Sequence, residues 1–130
     1  MDKKLEENMP IYVQIMSRIR EGIASGELKP GERISSVRDL AQDFGVNPNT
    51  MQRALTELER EGLLNSERTS GRFVTEEKSR IMQLRDELAV KAAENFYREM
   101  AALGFEKEEM VGFFREKFQV VEDSNIERIG

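Results

Sequence analysis

At 130 residues, with 38% hydrophobic and 35% charged side chains, the chain suits one small domain, alone or with an appended element. It contains neither Cys nor His, which removes a disulfide framework, thiolate and imidazole metal sites, and the commonest general base. The net charge of −5 counts against indiscriminate nucleic-acid binding, and no apolar run approaches the roughly 20 residues of a membrane span.

The opening stretch MDKKLEENMP is charged and has no apolar core behind it, so it does not read as a secretory signal. The expected location is the cytoplasm, and residues 1–9 are expected to form a flexible arm. Pro10 then opens a helix through about Ser25. Ile11, Ile15, Ile19 and Ile23 recur every four residues, with Tyr12 and Met16 beside them, which predicts one buried face. Gly26 ends that helix. Leu28 to Glu32 reads as a turn with Pro30 and Gly31 in type II order. Arg33 and Ile34 are expected to add a very short strand.

Two short helices follow between Ser36 and Arg60. Ser36 caps the first, Val37, Leu40, Ala41 and Phe44 form its buried face, and Gly45 stops it. Asn47 caps the second and Pro48 takes its first position, where a missing N–H does no harm. Met51, Ala54, Leu55 and Leu58 point inward. Asn49, Arg53, Thr56 and Arg60 point outward. That outward face offers an amide, a hydroxyl and guanidinium groups, all of which bond to base edges and phosphates. Two helices joined by a tight glycine turn form the helix-turn-helix pattern, with its second helix placed in a major groove. A plain helical hairpin with a solvated face is the rival reading. So is a module that binds protein, which would show apolar groups on the outward face.

Gly62 stops the second helix. Leu63-Leu64 and Phe73-Val74 flank the polar stretch NSERTSGR, so residues 63–74 read as a β-hairpin with a loose tip near Gly71, carrying Arg68 and Arg72. Behind a helix-turn-helix such a hairpin is a wing. A long helix is expected from Glu77 to Leu103, with a stripe of Ile81, Leu84, Leu88, Ala92, Phe96 and Leu103. A second is expected from Lys107 to Val120, bearing Met110, Val111, Phe113, Phe114, Phe118 and Val121. Two helices cannot hide that much apolar surface on each other, which points to a helical homodimer. The expected dimer contacts are Leu84, Leu88, Ala92, Phe96, Phe113, Phe114 and Phe118. Residues 122–130 look frayed.

The charge is unevenly spread. Residues 1–75 carry 11 basic and 12 acidic side chains, whereas 76–130 carry 9 and 13. DNA binding would therefore depend on local placement. No nucleophile–base pair, glycine-rich phosphate loop or metal-ligand cluster stands out, so no enzyme activity, cofactor or metal is expected.

Residues 10–75 resemble the winged helix-turn-helix domain of the GntR family of bacterial transcription regulators. The resemblance is carried by GELKPGERI (26–34), SVRDLA (36–41), GVNPNT (45–50), Arg53-Ala54-Leu55, EGLL (61–64) and GRFV (71–74). The family pattern usually has Pro where this chain has Ser35, a departure that should loosen the turn without removing a DNA contact. With only two helices behind the wing, the chain looks like the YtrA-type subfamily, whose short tail serves dimerisation.

The resemblance implies a mainly α (α+β) protein. A winged helix-turn-helix domain would span 10–76, a helical dimerisation region 77–121 and a frayed tail 122–130. It implies a homodimeric repressor acting on an inverted-repeat operator in double-stranded DNA, often one beside ABC-transporter genes. DNA contacts would fall on Arg38, Asn47, Asn49, Thr50, Gln52 and Arg53, with Gly71 and Arg72 at the wing. A small-molecule effector held by the Phe-rich tail is the alternative output control.

Overall fold

The structure is a computed structural model that describes the backbone of residues 8–129 and the side chains of 8–119. Its elements are α1 (Ile11–Ser25), α2 (Val37–Phe44), α3 (Pro48–Arg60), β1 (Leu64–Glu67), β2 (Gly71–Val74), α4 (Lys78–Ala102) and α5 (Lys107–Ile129). The chain divides into two compact units, one ending at Leu88 and the other beginning at Ala89.

Local chemistry sets the boundaries in the first unit. The Ser36 hydroxyl accepts from the Asp39 N–H at 3.2 Å, and the Asn47 side chain accepts from the Asn49 N–H at 2.7 Å. These caps satisfy orphan donors at the starts of α2 and α3. Gly45 closes α2 in the left-handed region at φ +67°, a conformation that costs a glycine little. The expected turn is present: Glu32 N–H donates to the Lys29 carbonyl at 2.9 Å, with Gly31 at φ +78°.

α1, α2 and α3 enclose a core of Ile15, Met16, Ile19, Ile23, Ala41, Met51, Ala54, Leu55 and Leu58, completed by Leu63, Leu64 and Val74 of the hairpin region. Val37, Leu40 and Phe44 are only partly buried against it. The isoleucine stripe of α1 departs from expectation at one end: Ile11 is 56% exposed. A four-residue step overshoots a full turn by about 40°, so three steps carry Ile11 well off the face that Ile23 occupies.

The hairpin is antiparallel, pairing Leu64 with Val74 and Glu67 with Gly71. Residues 32–34 add a third edge: Ile34 N–H donates to the Arg72 carbonyl at 3.0 Å and Val74 N–H to the Glu32 carbonyl at 2.9 Å. The expected short strand at Arg33 is thus a single bridge to Phe73.

The first unit extends beyond the expected end at 76. Leu84 is 1% exposed within its core, and Ile81 and Leu88 pack against the same cluster. The first turns of α4 therefore complete the winged domain. Arg80 reinforces this, its Nε donating to the Glu61 carbonyl at 2.9 Å.

The second unit is a helical hairpin, closed by Gly104 at φ +93°. Met100 and Met110 are its buried residues among those described. Phe96 and Phe114 meet edge to face at 6.2 Å, as do Phe105 and Phe113 at 5.5 Å. The trace of α5 continues to Ile129, past the expected end at Val120. The flexible arm expected over 1–9 falls largely outside the described residues, as do the side chains of Val121 and the tail 122–130.

Candidate nucleic-acid interface

The surface of interest is built from α2, α3 and the wing. On α3 and its cap the side chains of Asn47, Asn49, Gln52, Arg53 and Thr56 are exposed, whereas Thr50 is half-buried. Arg38, in the first turn of α2, is exposed as well. No described carboxylate bonds to any of these side chains, so their polar groups face outward unneutralised. The acidic partners of α3 all sit at its C-terminal end: Glu57, Glu59 and Glu61 pair with Arg60, Arg72 and Arg20. The helix thus offers its electropositive N-terminus on one side and spends its carboxylates on internal ties at the other.

Two exposed side chains on α3 are held rather than loose. Gln52 Nε2 donates to the Thr56 hydroxyl at 3.1 Å, one turn on. The Arg53 guanidinium lies over the Tyr12 ring, 3.9 Å from its centroid, and its Nη2 donates to the Tyr12 hydroxyl at 3.3 Å.

At the wing, Arg68 is exposed on the tip. Arg72, expected beside it, is turned inward: its Nε bonds to Glu59 of α3 and only 18% of its side chain is exposed. Ser66 donates to the same carboxylate. Burial alone would raise the Glu59 pKa, but the Ser66 hydroxyl and the Arg72 guanidinium outweigh it and hold the carboxyl below its ordinary value. Arg72 therefore clips the wing to α3. Gly71 has φ +105°, and a Cβ there would lie 3.1 Å from the Arg33 Nε. The positive φ favours glycine, and its lack of a side chain lets a second cation, Arg33, pack against the wing tip.

The residues expected to dimerise separate into two groups. Leu84 and Leu88 belong to the winged core described above, because their turns of α4 face it. Ala92 is exposed and Phe96 half-buried, while Phe113, Phe114 and Phe118 are 36%, 54% and 47% exposed. Phe96, Tyr97, Met110, Val111 and Phe114 line a cleft of about 600 Å³, with Lys107 and Arg115 at its margin.

Sequence reasoning passed over three residues that shape the interface. Tyr12 counted as part of an apolar face, Arg33 as part of a short strand, and Glu59 was assigned no role. Tyr12 and Arg53 lie 41 positions apart, and no one-dimensional spacing relates them.

This is the architecture of a DNA-binding transcription regulator of the winged helix-turn-helix class. Residues 11–74 match the family model described as bacterial regulatory proteins, gntR family. The chain is 39% identical to an uncharacterized HTH-type transcriptional regulator, YhcF, of Bacillus subtilis, over 85% of this chain and 92% of that one. It is 43% identical to the HTH-type transcriptional repressor YtrA of the same organism, over 52% of each chain. Among solved structures, the DNA-binding domain of AraR in complex with its operator ORX1 superposes with a TM-score of 0.51 at 34% identity, over 54% of this chain and 84% of that one. The chain belongs to the GntR family.

No helix among the described residues is long and apolar enough to cross a membrane.

Proposed function

We propose that the protein is a homodimeric, cytoplasmic repressor that binds an inverted-repeat operator, a reading carried by the outward face of α3. Its N-terminal two-thirds display amides, hydroxyls and a guanidinium with no described carboxylate among them. Asn47, Asn49, Thr50, Gln52 and Arg53 meet the major groove, Arg38 and the N-terminus of α2 hold phosphate, and the wing tip at Arg68 and Gly71 meets the neighbouring minor groove. Arg72 supports that contact by fixing the wing on α3. Similarity to a named repressor and to an operator-bound domain supports this assignment. An operon of ABC-transporter genes is the target that the subfamily resemblance favours.

Dimerisation is assigned to the second unit, through Ala92, Phe96, Phe113, Phe114 and Phe118. Exposed aromatics at this density in a short helical hairpin mark a surface awaiting a partner. The cleft at Phe96 and Phe114 supports a second reading, in which a small apolar effector enters the tail and DNA binding is the output.

Enrichment of duplexes from a random pool by the full chain tests the assignment. An inverted repeat should emerge, with half-sites about one helical turn apart. Affinity for it should fall with salt at a log–log slope of several units, since each phosphate contact contributes about −0.9. A pool that remains unenriched, or a slope near zero, would sink the reading.

A further inference from the structure

The structure assigns Tyr12 a role that rests on the DNA-binding reading: we infer that it is the positioning residue that presents Arg53 to the base pairs. Tyr12 sits in the first turn of α1, partly buried against the winged core, so its ring is anchored from behind. Arg53 lies across the ring face at 3.9 Å and gives one N–H to the hydroxyl at 3.3 Å. A guanidinium has five donors, and this arrangement spends one of them. The N–H groups on the far edge remain, enough for the paired bond to the two acceptors of a guanine.

An arginine on an exposed helix normally samples many rotamers and must give up that freedom to read a base. Here the ring restricts it before DNA arrives. Stacking also suits a planar guanidinium and not an ammonium, so the platform is built for arginine. Its neighbour Ile11, by contrast, is 56% exposed. Tyr12 thus carries a contact from α1 onto the outward face of α3.

Tyr12 governs sequence preference more than overall attraction to DNA, because it adds no charge. The test uses the full-length chain and the duplex it selects from a random pool, with unrelated duplex as control. Tyr12→Leu should lower affinity for the selected duplex about three- to tenfold and leave the control unchanged. Tyr12→Phe, which keeps the ring, should restore most of the preference. In an Arg53→Ala background, Tyr12→Leu should change nothing further, since the two act as a unit.

A second measurement does not depend on the variants folding. In the free wild-type protein the Arg53 side-chain protons should show an upfield ring-current shift. An equal loss on both duplexes, a persisting loss in the Arg53→Ala background, or unshifted Arg53 protons would each overturn the role of Tyr12. A wild-type chain that selects no sequence at all would remove the DNA-binding reading, and this role with it.

Discussion

The two units handle apolar surface in opposite ways. The first, through Leu88, closes on itself: Met51, Ala54, Leu55, Leu58 and Leu63 are fully buried, and even the start of α4 contributes Leu84. The second, from Ala89, leaves Val90, Tyr97, Leu103, Val111, Phe113, Phe114 and Phe118 in solvent. Both contain similar residue types at helical spacing. What differs is geometry. Three helices and a hairpin surround a volume, whereas two helices share only a seam. A single seam cannot cover aromatics that project on several faces, so one unit seals its core while the other leaves apolar surface uncovered.

The largest test of that contrast is truncation. A fragment ending at Leu88 should be a folded monomer, with operator affinity reduced about 10²- to 10⁴-fold by loss of the second linked head. A fragment ending at Glu77 should be much less stable, because it lacks Ile81, Leu84 and Leu88. Sedimentation, circular-dichroism melting and a binding titration on both fragments would decide this. A dimeric Leu88 fragment, or a Glu77 fragment that melts with it, would break the contrast.

Paired point variants probe the same difference more finely. Leu84→Ala should destabilise the fold by about 2–5 kcal/mol, as for other buried leucines, at any protein concentration. Phe114→Ala should leave the winged domain's melting intact and instead weaken self-association, read as a concentration-dependent sedimentation coefficient. If Leu84→Ala acted mainly on association, the division between the units would be misplaced.

Within the first unit, Arg53→Ala should cost about 1–3 kcal/mol on the operator, and relax preference at one base pair, while lowering the melting temperature only by the few degrees that losing the Tyr12 contact entails. A similar loss on all sequences would make Arg53 a phosphate contact.

The smallest effect concerns the clip between α3 and the wing. The Glu59 carboxyl has a folded pKa below its ordinary value of 4.5, so its contribution is complete above that value. The contribution is lost as pH falls through the lower folded value. Acid should therefore loosen the wing first, seen as earlier amide exchange at Ser66 and Arg72, and Glu59→Gln should flatten that dependence. Exchange that stayed level across the acid range in the wild type would remove Glu59 as the wing's anchor.

Much of this protein was legible in one dimension. Caps at Ser36 and Asn47, the stop at Gly45 and the turn at Pro30-Gly31 each rest on backbone chemistry that a few neighbouring residues control. The inward face of α3 follows from helical period alone, and so does the polar face opposite it. Three features needed the folded chain. Tyr12 beneath Arg53 and Glu59 beneath Arg72 join residues distant in sequence, and periodicity relates only near neighbours. The third is the split of one uninterrupted helix, α4, between two units: Leu84 and Phe96 share a stripe in the sequence, yet one is sealed in the winged core and the other is not. Burial depends on what stands opposite a side chain, and no helix carries that information in its own spacing.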